Sequence, residues 1–318
     1  MKRTFGVLCA AGIFILLLLF PDAAATSALN GLRVCAKVVI PSLFPFFVAA
    51  GLLTETGAVN ALAELLSPVC ARLFGVSGHG GTAFIIGLSG GYPLGAAFLA
   101  DKYRKKEISD ADADALAVFC NNSGPAFILG AAGSAVFHSA AIGLFLYAVH
   151  ILAAVLGGII LSERKGGAYE TPLAVSSVSF SKAFTHAVKN AVRSCLSVCG
   201  FICFFTVVTG ILDETGLLMA VSAYLARMTG TELGFMRAFF CGLIELGGGI
   251  TAMTGLPATP LSLALASFIL SWGSLSVHFQ SLAMLDGIKI RTARYILGRL
   301  LIACIAAALA LFGAMLFF

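Results

Sequence analysis

Two apolar stretches are broken at their centres by clustered glycines. One is Thr82–Ala100, which contains "GLSGGYPLGA" (87–96); the other is Ala238–Leu256, which contains "GLIELGGGIT" (242–251). No other feature constrains the fold as tightly. An unpaired backbone N–H or C=O is expensive in hydrocarbon, so only closed helices face lipid. Irregular backbone at depth must be shielded by protein or line a wet cavity. Lipid is the expected solvent, because 59% of the 318 residues are hydrophobic and 11% are charged, against about 25% charged in a soluble domain.

Folded as a hairpin, such a stretch gives two arms of about nine residues, each about 14 Å long, reaching the middle of a ~30 Å core. Glycine permits the turn, and Pro93 prevents simple helical continuation. The second arm starts at the tip, so its first N–H groups lack helical partners and favour an anion. Continuous apolar segments long enough to cross a bilayer lie at Val34–Leu53, Leu116–Val136, Ala140–Leu161, Ser194–Leu212, Leu261–Leu285 and Tyr295–Phe318. Residues 1–25 read as a signal peptide, with Lys2 and Arg3 before an apolar run and small residues at "AAATSA" (23–28). The alternative is a retained first span, and both leave the later topology unchanged.

Charge tests the hairpin assignment. If both glycine-rich stretches enter and leave on one side, all but Arg33, Lys37, Arg227 and Arg237 of the 20 Lys and Arg lie inside, Arg299 among them. If the stretches crossed instead, "KYRKK" (102–106) would move outside, against the positive-inside rule. The segment 101–115 around it reads as a solvated cytoplasmic loop followed by a helix start.

The chain also resembles itself. "GLLTETG" (51–57) returns as "GILDETG" (210–216), and each copy precedes an amphipathic stretch, a glycine-rich hairpin and a span with a polar break, "FCNNSGPAF" (119–127) and "FILSWGSLSVHFQ" (268–280). The halves are oppositely oriented in this topology. Inverted repeats with interrupted helices are typical of secondary transporters, whose site lies near the midplane. The expected class is therefore all-α: a polytopic membrane protein with inverted repeats, two re-entrant hairpins and two interrupted transmembrane helices. Its parts are an N-terminal helix (1–30), a first repeat (31–161), a basic cytoplasmic linker (162–190) and a second repeat (191–318).

The substrate-binding candidates are the hairpin tips and the polar breaks. They are Ser89, Gly90, Gly91 and Tyr92; Asn121, Asn122 and Ser123; Glu245, Gly247 and Gly248; and Ser271, Ser274 and His278. An acid deep in an apolar stretch is a functional candidate by default. Glu245 is either a coupling site for a proton or Na⁺, or a cap for unwound backbone at the second tip. Tyr92 and Trp272 either stack on an aromatic solute or anchor backbone. Asn121, Asn122 and Ser123 read as site or as helix–helix glue, and His278 as titrating group or structural hydrogen bonder. Cys195, Cys199 and Cys203 share a helix face and read as small contact residues, with nothing to complete a metal site. No HExxH, GxSxG or Walker sequence is present, so neither an enzyme nor a cofactor is expected. The expected partners are the bilayer, a small-molecule anion and, with no fixed stoichiometry, further copies of the chain; nothing points to nucleic acid.

"FPDAAATSALNGLRVCAKVVIPSLFPFFVAAGLL", "GLSGGYPLGA", "FCNNSGPAFILGA" and "SWGSLSVHFQSLAML" resemble the YlbJ-type sporulation integral membrane proteins. These belong to the Gate, or nucleoside-recognition, group, similar to concentrative nucleoside transporters. The resemblance runs from about residue 19 to 300. It implies a transporter-like fold with two re-entrant hairpins and a multi-pass location in a bacterial membrane, the mother-cell-derived forespore membrane. The implied solute is dipicolinic acid. The first hairpin lacks the acidic motif of the nucleoside transporters, which argues against a nucleoside. Nucleoside-like transport remains the alternative within transport, and a non-transporting scaffold or sensor for spore assembly the alternative outside it.

Overall fold

The computed structural model describes residues 2–162 and 179–317; most of the expected linker lies outside them. The described residues are helical, with no strand. After α1 (Lys2–Leu19) the chain bends by 101°. Then α2 (Pro21–Val34), a π-helical stretch Cys35–Val39 and α3 (Ile40–Glu55) run on through αR linking residues as one helix. Its counterpart is α9 (Phe180–Glu214), 35 residues long. Both begin well before the expected spans, because their first turns are polar and hydropathy sees only the apolar part. The expected boundaries at 30/31 and 190/191 thus fall inside helices.

The element order repeats. Each long helix is followed by a left-handed glycine, Gly57 or Gly216, and a short helix, α4 (Ala58–Phe74) or α10 (Leu217–Thr229). Next come paired arms: α5 (Gly78–Gly90) with α6 (Leu94–Arg104), and α11 (Leu233–Ile244) with α12 (Leu246–Thr251). The interrupted spans follow. One is α7 (Asp110–Phe119), a break, and the π-helix Ala126–Val136; the other is α13 (Pro260–Trp272), Gly273 and α14 (Ser274–Met284). Long final helices close each half, α8 (Ala140–Leu161) and α15 (Thr292–Phe317).

Local chemistry sets these boundaries. Ser77, Ser109, Ser139 and Thr259 cap α5, α7, α8 and α13, each accepting from a backbone N–H in the first turn. The α5–α6 hairpin is tied together by Gly87 and Gly95. A Cβ at either would lie 1.7 Å or 2.0 Å from the Cys120 carbonyl oxygen at the end of α7. The arms of α11 and α12 meet in the same way, since a Cβ on Gly249 would lie 2.2 Å from Gly242 Cα. The glycines thus bring backbones into contact as well as turning the chain. Around the first hairpin the core is aromatic, with Phe74, Phe84 and Phe119 mutually packed at 5.0–5.6 Å between ring centroids.

The segment 101–115 differs from the solvated loop expected of it. Lys102 is buried and pairs with Glu107 at 2.5 Å. Asp114, also buried, accepts from Arg291 N at 2.6 Å, Arg291 Nε at 2.9 Å and Arg294 Nη1 at 2.5 Å, fastening α7 to the start of α15. Burial alone would raise the Asp114 carboxyl, but these donors outweigh it and hold it below its ordinary value.

Candidate functional site

Both hairpin tips and the first break close on one cavity of about 100 Å³. The first tip contributes Ser89, Gly90, Gly91 and Tyr92, the break Ser123 and Gly124, and the second tip Glu245 and Gly247. Gln280 of α14 completes the polar lining. The remaining wall is apolar, with Leu43 and Phe46 from α3, Val198 and Ile202 from α9, and Phe127 after the break. The volume is below the ~300 Å³ of a usual ligand pocket, so this conformation suits a very small solute or a contracted site.

Glu245 resolves locally. Its carboxylate accepts from Gly247 N at 3.0 Å and Gly248 N at 2.5 Å, so it caps α12 while facing the cavity. This corrects the expectation of an anion-friendly end on the second arm: the chain's own carboxylate occupies those donors. In the first hairpin the second arm follows Pro93, which has no N–H, and Leu94 N donates to Gly91 O at 2.8 Å, so two of its first positions offer no free donor.

The other candidates separate by position. Asn121, Asn122, Ser271, Ser274 and His278 are buried but lie outside the cavity wall. Asn121 Nδ2 donates to Ser281 Oγ at 2.5 Å, and Asn122 Nδ2 to Phe119 O at 2.8 Å. Ser274 Oγ accepts from Val277 N at 3.4 Å. His278 Nδ1 meets the Tyr295 hydroxyl at 3.0 Å and packs edge-on against Trp272. Tyr92 lines the cavity, but its hydroxyl turns away, donating to Leu270 O at 3.3 Å. The ring is therefore an anchor as well as wall.

Comparison with known proteins fits this geometry. Residues 36–161 match the Gate family, described as nucleoside recognition. Over 132 residues the chain is 37% identical to the sporulation integral membrane protein YlbJ of Bacillus subtilis (strain 168). That match covers 42% of this chain and 32% of the relative, so it spans about a third of the relative's length. Over these residues the chain is similar to the Gate family and to YlbJ. Its fold is also that of CNTnw, a concentrative nucleoside transporter, in a structure of a variant in its intermediate 3 state. The TM-score is 0.50 at 12% identity, over 99% of this chain and 85% of the other. Four described helices are long and apolar enough to cross a bilayer, so the chain is an integral, multi-pass membrane protein, and its fold is similar to that of a transporter.

Two residues that join the breaks of this chain escape sequence reasoning. His150 of α8 is buried; its Nε2 accepts from Ser123 N at 3.1 Å, which leaves Nδ1 to donate to Ser271 Oγ at 2.8 Å. It staples one interrupted span to the other. Arg299 of α15, expected among the inside charges, is instead 1% exposed in the core. Its guanidinium donates to the Tyr92 hydroxyl and the Ser271 carbonyl, reaches Val118 O at 3.4 Å, and lies 5.5 Å from the Tyr92 ring centroid. Charge counting places every arginine in water. The available signal was position, because Arg299 lies inside the apolar run that begins at Tyr295.

Proposed function

We propose that the chain is a secondary transporter that moves a small organic anion by alternating access, and that in a sporulating cell the solute is dipicolinic acid crossing the mother-cell-derived forespore membrane. The observation that carries the reading is the convergence of two hairpin tips on one cavity containing Glu245. The repeated order of elements supports an inverted-repeat carrier. The YlbJ relative's name supports the link to sporulation. An anion and the Glu245 carboxylate repel each other in so small a space, so the anion enters with a proton that neutralises the carboxylate. Glu245 is then the coupling group, and the capping bonds from Gly247 and Gly248 hold it at the cavity wall in the meantime.

The test is uptake into proteoliposomes, offering dipicolinate and a nucleoside with and without a pH or Na⁺ gradient. Dipicolinate uptake should respond to the pH gradient in the wild type. Glu245→Gln should lose that response. Uptake of neither solute under any gradient refutes transport of either class. A nucleoside-like solute is the second reading; Gln280 and Glu245 would offer it an amide and an acceptor side by side, and preference for the nucleoside would select it.

A further inference from the structure

Among the buried charged side chains of the described residues, Lys102 and Asp114 are ion-paired at the basic face, and Asp112 accepts from Ser77 N at 3.3 Å. Glu245 and Arg299, like Asp112, have no ion-pair partner among the described residues, and they differ from it in their place at the cavity. Glu245 forms part of its wall, and Arg299 stands behind Tyr92, whose ring is part of the wall.

The charge on Arg299 is permanent, because a guanidinium is not deprotonated in proteins. Its acceptors are neutral: two carbonyls at helix ends and a phenol. The helix ends around it contribute partial charges of both signs, since α13 ends at Trp272 and α14 begins at Ser274. With the end of α7 at Val118 also beside the guanidinium, these half-charges offset one another only in part. The titratable groups near it, Tyr92, Cys120, His150, His278 and Tyr295, bring no carboxylate. A net positive charge therefore remains one aromatic ring away from the solute space.

We propose that Arg299 is the residue that sets the carrier's preference for anions, a fixed cation that balances Glu245 in the empty cavity and balances the solute once Glu245 is neutral. The proposal rests on the carrier reading above. Arg299 does not touch the solute; it acts through the Tyr92 wall and is a positioning residue as well as a source of charge. A structural role alone, closing the carbonyls of Val118 and Ser271, would alter the amount of folded protein and would leave the choice between charged and uncharged solutes unchanged.

The experiment compares initial uptake of pyridine-2,6-dicarboxylate with that of its uncharged diamide in proteoliposomes. A ratio of the two cancels differences in active fraction. Wild type should favour the dianion. Arg299→Gln should lower the ratio on the order of a hundredfold, the factor expected of one unit charge acting on a dianion at roughly 10 Å in an effective dielectric near 20. Arg299→Lys keeps the charge and loses the planar fork, so it should keep most of the wild-type ratio at lower total rate. An Arg299→Gln carrier with the wild-type ratio overturns the proposal and leaves the carrier reading standing. If the Gln variant does not reconstitute, an active Lys variant that has lost the anion preference overturns it equally. Wild type that prefers the diamide, or carries neither, refutes the anion reading and this inference with it.

Discussion

Replacing Gly87 by alanine tests why the first hairpin is rich in glycine. The added Cβ would lie 1.7 Å from the Cys120 carbonyl oxygen, with Gly95 Cα 3.2 Å away on the other arm. An ordinary C···O contact is about 3.3 Å or more, so the hairpin and the end of α7 must separate by roughly 1.5 Å. The obstacle is backbone, and no side-chain rotation relieves it. Overpacking a core commonly costs 1–3 kcal/mol; with backbone on both sides about 3 kcal/mol or more is expected. Gly90→Ala is the control. Its Cβ meets only Leu94 Cδ2, at 2.1 Å, and a leucine methyl can turn away, so about 1 kcal/mol or less is expected. At ~2–4 °C per kcal/mol for a chain of this order of size, the apparent midpoint should fall by about 10 °C for Gly87→Ala and by about 3 °C or less for Gly90→Ala. Thermal unfolding in detergent can be followed by a thiol-reactive dye, because Cys70, Cys120, Cys195 and Cys241 are free and buried. Equal midpoints for the two variants, or a lower one for Gly90→Ala, would refute the claim that backbone contact is what requires glycine at 87.

Asp114→Asn should destabilise the protein by about 2 kcal/mol at neutral pH, the scale of charge-assisted hydrogen bonds lost from a mostly buried acceptor. Because Asp114 is held below its ordinary value of 3.8, its contribution is complete above that pH and fades as pH falls further; midpoints of wild type and variant should therefore converge in acid, and a gap constant down to the acid limb would contradict the assignment. His150→Phe should cost about 2–4 kcal/mol and abolish solute uptake, since it strands the Ser123 N–H and the Ser271 hydroxyl at the two breaks; full uptake by that variant would show the staple to be dispensable.

Where the sequence was informative, the signal was local and repeated. Gly-rich tips, Pro93 and Pro125, and the "GLLTETG"/"GILDETG" pair mark places where backbone cannot continue as plain helix, and the structure breaks at each of them. Helix starts were harder to read. Pro21–Val34 and the first turns of α9 are helical because they pack against other helices, α2 lying against α9, and such packing overrides a polar composition that hydropathy reads as loop. The site was partly legible: Ser89, Gly90, Gly91, Tyr92, Ser123, Glu245 and Gly247 line the cavity, while Asn121, Asn122, Ser271, Ser274 and His278 are buried beside other partners. A period of 3.6 does not say which neighbour a face meets. Glu245 left two roles open, and the geometry makes them one position, a cap that faces the cavity.

Arg299 and His150 were illegible for a reason that also explains how the halves cohere. Each sits in the last helix of its repeat, in an apolar run that offers no partner close in sequence, and each joins a break of its own half to a group across the pseudo-boundary. His150, from the first half, donates to Ser271 of the second; Arg299, from the second half, donates to Tyr92 and reaches Val118 of the first. Ser123 Oγ, also from the first half, donates to Leu270 O at 2.9 Å at the end of α13. A helix broken inside a membrane must have its freed carbonyls and N–H groups met by something other than water. Here each half meets its own only in part, His150 accepting from Ser123 N and Arg299 donating to Ser271 O, and each break also takes a partner from the other repeat. The breaks that make a solute cavity and the contacts that join the repeats are therefore one network, and a residue such as Arg299 can be structural in its hydrogen bonds and selective in its charge at once.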